Sequence, residues 1–418
     1  MSKASIIGAY NTKFGAFVVR DRETKQITDA GPSLYDLIIE AGKGAIADAG
    51  LNAKDIDAVY FGACSPSMFV NQEHLAPLGV MISKDLRFKP MTRCEAACAS
   101  SSVALYDAVY AIEAGRYKNV LVIGVEKMNE LDTKGVTHAL ACSSYWPTEG
   151  AKGMTFPALF AEYAKGYQKQ YKISDADLAK MLATVSALCY KNALENPLAH
   201  FGKGGIPDKL GLMTADAILA LDDKKNPMIA PPLRLHDCSL VTDGAAALVV
   251  SASNALPKGA KAVEIAGIGH AEEIMEETAR AQMYMLEAGK HAVKTAFAEA
   301  KISIGDVNLA EVHDCFTINQ LLSTEALGLS KDGQAGNDYL AGKFTRDDKC
   351  PVNISGGLKA KGHPVGATGA SMHALIYKQL TGAPIGATPT KGQPEIGVAF
   401  NVGGSAATNC VTVLRRTK

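Results

Sequence analysis

The sequence predicts an α/β fold built from two related halves. Three observations carry that prediction. Apolar strands alternate with helical patterns, a stretch starting at Glu40 returns at Glu287, and a second echo follows both copies in the same order. Strands alternating with helices imply crossover connections and a mainly parallel sheet.

The first copy, EAGKGAIADAGLNAKDIDAVYFG from Glu40, runs through a helical pattern to an Asp55-Ile56-Asp57 turn and a short strand. SVALYDAVYAIEAG then reads as a helix stopped by Gly115. KNVLVIGVE, Lys118 to Glu126, is a buried strand by its continuous apolar run. Residues from about 127 to 240 have no counterpart in the second half. They contain the sole tryptophan, Trp146, and an amphipathic stretch FAEYAKGYQKQY, and are read as an insertion folded over one face. The second copy, EAGKHAVKTAFAEAKISIGDVNLAEVH from Glu287, reaches its turn at Asp306-Val307-Asn308. It is longer by four residues, about one helical turn. DGAAALVV from Asp243 and GGSAATNCVTV from Gly403 form the second echo, small residues ahead of a β-branched strand. The expected domains are 1–270, including the insertion, and 271–418.

Composition narrows the function classes. The chain has 418 residues, 47% hydrophobic and 21% charged, as in soluble globular proteins with a large core. Lys+Arg and Asp+Glu both number 43, so no basic surplus points to nucleic acid or an anionic membrane. The start, MSKASIIGAYNTKFG, lacks a signal-peptide pattern, and no uncharged apolar run reaches the roughly 18 residues of a spanning helix. Nine cysteines then suggest free thiols in a reducing, cytoplasmic compartment.

Three stretches carry chemistry. In CEAACASSSVALYDA, small residues precede a helical pattern, so Cys98 sits near a helix N-terminus, where the dipole favours a thiolate. The bland alternative is a structural cysteine at a tight turn. Cys94 and Cys98 lack the further ligands a zinc site needs, so no metal is expected. In EVHDCFTINQLL, a strand ends at His313 and a helix follows Phe316. Polar residues at such a strand end face the ligand crevice of α/β proteins, and His313 and Cys315 alternate onto one side. The alternative is a helix-capping histidine. A second HDC, His236 to Cys238, is read as coincidence. In NISGGLKAKGHPVGATGA, glycines including Gly356 and Gly357 let backbone approach a ligand, and His363 is a candidate base. A phosphate-cradling loop is the alternative, without the Gly-Lys-Ser/Thr ending of a P-loop.

Together these stretches resemble the thiolase superfamily over almost the whole chain. The resemblance implies Cys98 as nucleophile, His363 of GHPVGATG as base, and Gly403 of NVGGS as an oxyanion-hole N–H donor. Common thiolases carry a second catalytic cysteine where this chain has Asn401, and Asn-Glu-x-Phe where it has His-Asp-Cys-Phe. Both departures are similar to sterol-carrier-protein-type thiolases and their bacterial and archaeal acetyl-CoA acetyltransferase-like relatives. There Cys315 would be the acid/base thiol, and Asn401→Ala is expected to be milder than Cys315→Ala. FVNQEHLAPL also looks like that branch. Ser101, where a glycine usually follows, puts the shape of the acyl pocket in question.

The family fold implies α-β-α-β-α layers with a loop domain inserted in the first half. The implied reaction cleaves or forms a 3-oxoacyl-CoA through an acyl-cysteine, with coenzyme A as substrate and no cofactor. Cys98 and Gly403 would hold one oxyanion, and His313 and His363 the other. Acetoacetyl, branched or sterol, and aryl-dicarboxylic chains such as benzoylsuccinyl-CoA all fit, in fatty-acid or aromatic degradation. A ketoacyl or hydroxymethylglutaryl-CoA synthase and a non-catalytic scaffold subunit are the rival readings. The expected assembly is a homodimer, working with a small zinc-ribbon/OB-fold partner, and Lys203 of HFGKGG is the loop candidate for CoA.

Overall fold

The computed structural model describes residues 3–417. Its large sheet contains β1 (Ala4–Asn11), β2 (Ala58–Gly62), β3 (Met91–Cys94), β4 (Asn119–Glu126), β5 (Gly244–Ala252), β6 (Val263–Glu272), β7 (Leu309–Val312), β8 (Ile396–Gly403) and β9 (Thr408–Arg416). Their order is β7-β8-β9-β6-β1-β5-β4-β2-β3. The helices that position the site are α1 (Leu34–Asp48), α2 (Ser100–Glu113), α3 (Phe156–Tyr171), α4 (Asp175–Ala193), α5 (Glu287–Ala300), α6 (Thr317–Ala326) and α7 (Thr368–Leu380).

The internal repeat is a repeat of topology. Outward from β1, the pairings to β5, β4 and β2 are antiparallel, antiparallel and parallel. Outward from β6, the pairings to β9, β8 and β7 follow the same sequence, so the sheet is mixed and not mainly parallel as the strand–helix alternation implied. The parallel neighbour β3 at one edge has its counterpart in a parallel bridge between Ala310 and Val352 at the other. Even the turns match in chemistry. The Asp57 carboxylate accepts the N–H groups of Lys118 and Asn119 at 2.7 and 3.0 Å. The Asn308 carbonyl accepts those of Glu395 and Ile396 at 3.2 and 3.1 Å. Each side chain holds the entry of the neighbouring parallel strand in register.

Between the halves, β1 and β6 pair at Ser5–Glu264 and Ile6–Val263, so hydrogen bonding runs on from one half into the other. The layering follows from the helices. Outer helix α1 packs on β1, β4 and β5, and outer helix α5 on β6 and β9. Between them α2 and α7 pack on each other, with α7 touching strands of both halves. Every residue of α7 except Lys378 is buried, as expected for a helix with core on all sides.

The stretch between β4 and β5 contains α3, α4 and shorter helices. Its two ends are pinned by one buried ion pair. Lys127 Nζ lies 2.9 Å from Asp243 Oδ2, both side chains fully buried. Asp243 also accepts the N–H groups of Met128 and Asn129 at 2.7 and 3.0 Å. Those extra bonds compensate the desolvation such a pair costs. None of the described helices is long and apolar enough to cross a membrane. All nine cysteines are free.

Candidate active site

Cys98 sits in the short turn Ala97–Ala99 that leads into α2. The turn is sharp: Ala97 has φ +49°, a left-handed conformation that costs a non-glycine residue about 1–2 kcal/mol. Three serines brace it. The Ser100 hydroxyl donates to Ala97 O at 2.6 Å and accepts from Ala96 N–H at 3.0 Å. The Ser101 hydroxyl accepts from Ala370 N–H of α7 at 2.8 Å, and the Ser102 hydroxyl donates to Asn401 Oδ1 at 2.8 Å. Ser101 therefore joins the two central helices and does not line the cavity. Burial pushes the Cys98 thiol up to about 12, with Gly404 N–H opposing the shift. Desolvation outweighs the helix terminus here, so the resting residue is a thiol that needs a base.

His363 offers a ring nitrogen within 4.8 Å of the Cys98 sulfur. Its Nδ1 lies 2.7 Å from Thr368 Oγ1, whose own proton goes to Pro364 O at 3.0 Å. The threonine oxygen must then accept, which places the imidazole proton on Nδ1 and leaves Nε2 with a lone pair. Burial, assisted by Lys361, lowers His363 to about 3, so the ring is neutral.

His313 has the opposite arrangement. Asn401 Nδ2 donates to Cys98 O at 3.2 Å, which fixes the amide orientation, and stands 3.0 Å from His313 Nδ1. Nδ1 must accept, so Nε2 carries the proton and can donate. Burial holds this ring neutral as well. The two rings meet edge to face, with centroids 5.1 Å apart. Ligating atoms of Cys98, His313 and His363 lie within 4.8 Å of one another. A soft cation would suit those residue types. Asn401, however, makes His313 offer a donor there in place of a lone pair.

Cys315 lies between β7 and α6 and faces the same cavity, its thiol raised by burial and by Cys98. The segment around the second HDC packs beside the first. Cys238 bridges Phe316 in antiparallel fashion, Ser239 N–H donates to Cys315 O at 2.8 Å, and Thr317 Oγ1 donates to Asp237 Oδ1 at 3.2 Å. The stretch Asp237 to Ser239 runs antiparallel to Cys315 to Thr317, out of step with the first HDC, and Cys238 lines the cavity with Cys315.

The cavity measures about 280 Å³. Beyond the reacting groups its walls are Met128, Leu131, Val136, Leu140, Phe156 and Leu240 with a few hydroxyl and amide groups, and no charged side chain lines it among the described residues. Gly404, not Gly403, faces it. A Cβ at Gly403 would overlap Ala96 O, so that glycine is there for backbone packing.

Gly356 and Gly357 are also packed against protein. A Cβ at Gly357 would overlap the Asp314 carboxylate, and one at Gly356 would lie 2.7 Å from Ala193 Cβ. Asp314 needs that room because it accepts Leu358 and Lys359 N–H at 2.6 and 3.2 Å. Neither glycine lines the cavity, and Lys203 lies apart from it in an exposed turn. Sequence reasoning missed Asn401, Thr368 and Gly404 as working parts. Thr368, inside the same glycine motif as His363, was the one with a local signal.

Comparisons with known proteins agree over the full length. The family model described as Thiolase, N-terminal domain matches residues 4–254, and Thiolase C-terminal domain-like matches 269–416. The chain is 37% identical over 417 residues to an acetyl-CoA acetyltransferase of Methanothermobacter thermautotrophicus, covering 100% of both. It is 29% identical to sterol carrier protein 2 of Rattus norvegicus, over 88% of this chain and 66% of that one. It is 28% identical to the benzoylsuccinyl-CoA thiolase subunit BbsB of Thauera aromatica, over 90% and 89%. Among solved structures, the Ltp2-ChsH2(DUF35) aldolase superposes with a TM-score of 0.79 at 19% identity, covering 99% and 98%.

Proposed function

The chain belongs to the thiolase family, an acyltransferase, and on that premise we propose how its residues divide the reaction. His363 Nε2 takes the Cys98 proton, and the thiolate attacks the 3-oxo carbonyl of a 3-oxoacyl-CoA. The N–H groups of Gly404 and Cys98 hold the tetrahedral oxyanion. Its collapse breaks the C2–C3 bond, leaving acyl-Cys98 and an acetyl-CoA enolate. The enolate oxygen accepts from His313 Nε2–H and protonated His363, while the Cys315 thiol gives its proton to the enolate carbon. Coenzyme A then donates its thiol proton to Cys315 and attacks the acyl group, and Cys98 recovers its proton from His363. Removing one oxyanion donor typically costs about 10²–10³ in kcat.

The observation that carries this reading is the opposed tautomers of His313 and His363: one ring accepts a proton while the other donates a hydrogen bond. The test is thiolysis of acetoacetyl-CoA, with mass spectrometry of the trapped acyl-enzyme. An adduct on a cysteine other than Cys98 overturns the assignment. The same assembly favours a thiolase over a synthase-like enzyme or a non-catalytic scaffold, since two thiols and both histidines converge.

For the acyl chain, the cavity supports an uncharged hydrocarbon group. Burying an unpaired carboxylate is costly, and the ionisable groups that bear on Cys98 are the carboxyls of Glu126 and Glu95, of the wrong sign to pair with it. The relative named for benzoylsuccinyl-CoA shows that carboxylated substrates are the alternative to exclude. Thiolysis of acetoacetyl-CoA and 3-oxohexanoyl-CoA with none of benzoylsuccinyl-CoA is the expected pattern. Efficient cleavage of the carboxylated compound overturns it.

A homodimer and a small zinc-ribbon/OB-fold partner complete the proposal. Its support is the structural neighbour named for two components, Ltp2 and ChsH2(DUF35), and a cavity wall without cations for CoA phosphates. Full activity and tight CoA binding by the homodimer alone would remove the partner.

A further inference from the structure

The turn that presents Gly404 to Cys98 is conformationally expensive. Gly404 has φ +61° and Ala406 φ +63°, so two left-handed residues flank Ser405. The second has a side chain and carries the usual penalty of about 1–2 kcal/mol. A turn of that kind persists only where its surroundings over-determine it.

Asn409 Nδ2 holds Ala406 O at 2.9 Å, and one arginine holds Ser405. Arg280 lies on the connection between β6 and α5, its side chain buried against the turn. Nη1 donates to Ser405 O at 2.5 Å and Tyr163 OH at 2.6 Å. Nη2 donates to Ser405 Oγ at 3.3 Å and Met275 O at 3.1 Å, and Nε to Ile274 O at 2.7 Å. All the donors of the guanidinium are used, and every acceptor is a neutral oxygen. Glu277 lies beside it, close to the Ser405 side chain as well. Burial raises that carboxyl to about 8, so it stays protonated at neutral pH and does not draw the guanidinium away.

We propose that Arg280 is a positioning residue for acyl transfer, acting by gripping Ser405 from both its carbonyl and its hydroxyl so that the Gly404 N–H points at the Cys98 sulfur. The inference rests on Cys98 as the nucleophile.

The test uses the whole chain, with Arg280→Met and Arg280→Lys, each normalised to Cys98 sites titrated by acylation. Arg280→Met is expected to lower kcat per titrated site about 10²-fold, with KM for acetoacetyl-CoA changed less than about threefold, because an oxyanion donor is misplaced. The pH profile of Cys98 alkylation should move to higher pH, since the N–H that opposes the rise of the thiol is gone. A purely structural role would reduce the number of titratable sites and leave both readings per site unchanged, and that result overturns the proposal. Where Arg280→Met does not fold, Arg280→Lys decides by the same criterion, because lysine keeps the charge but cannot fork across both Ser405 acceptors. Wild-type protein that never acylates Cys98 would sink the underlying reading. Normal acylation in wild type and variants alike sinks only the role of Arg280.

Discussion

His313 and His363 stand edge to face at 5.1 Å, and their Nδ1 atoms have opposite duties. One accepts a hydrogen bond from Asn401, and the other donates one to Thr368. Removing each partner should therefore damage a different step. Thr368→Val frees His363 to take the wrong tautomer and is expected to slow Cys98 acylation about 10²-fold or more. Asn401→Ala frees His313 and is expected to cost about 10- to 100-fold in carbon–carbon cleavage, with a smaller effect on acylation. Rapid-quench measurement of the two steps separates them, and equal losses in both steps for both variants would contradict the assignment.

Cys98→Ala should abolish acyl capture, and Cys315→Ala should spare it. The second variant should form an acyl-enzyme from a simple acyl-CoA yet lose cleavage and condensation by about 10²–10⁴-fold, the usual worth of general acid–base assistance. Near-normal turnover by Cys315→Ala would move the acid/base role elsewhere. Cys238, which lines the same cavity, would be the first residue to examine.

The pH dependence follows from burial. His363 is held down to about 3, so between pH 6.5 and that value the folded enzyme keeps a neutral base where an exposed histidine would already be charged. Acyl capture should show no acid limb near pH 6.5. On the alkaline side, burial raises the Cys98 thiol to about 12. Alkylation by iodoacetamide should keep rising from about pH 7 to about pH 10 with no plateau near the ordinary thiol value of about 8.5. A clean plateau there would show an exposed thiolate.

Gly357→Ala separates packing from ligand approach. The residue has φ +60°, and the added carbon collides with the Asp314 carboxylate. A loss of about 2 kcal/mol or more in urea unfolding is expected, from left-handed strain plus disturbed Asp314 hydrogen bonds. KM for acetoacetyl-CoA should stay the same in the folded fraction. A large KM effect without a stability change would restore the ligand to that loop.

What the sequence made legible was local. Cys98 before a helix, His313 and Cys315 at a strand end, and His363 among glycines each had a signal within a dozen residues, and the structure brings all four together. The repeat was readable because both copies keep their turn residues. What stayed hidden depends on distant partners. The role of Asn401 comes from contacts with Cys98 and His313, 303 and 88 residues away. The glycines announced close approach but not what approaches: at Gly357 it is Asp314. Arg280 sits in a charged, unpatterned connection, and its purpose is visible only once Ser405 is beside it.

The hydrogen bond from Asn401 to the Cys98 carbonyl also sets a clock on biosynthesis. The residues are separated by 303 positions. At translation rates of about 5–20 residues per second, Cys98 leaves the peptidyl-transferase centre roughly 15–60 s before the Asn401 amide that contacts it. Through that interval the Cys98 segment lacks Asn401, and α2 lacks α7, against which it packs. A nascent first half therefore carries an exposed apolar face without catalytic competence. The cluster around Cys98 is complete only when nearly the whole chain has been made.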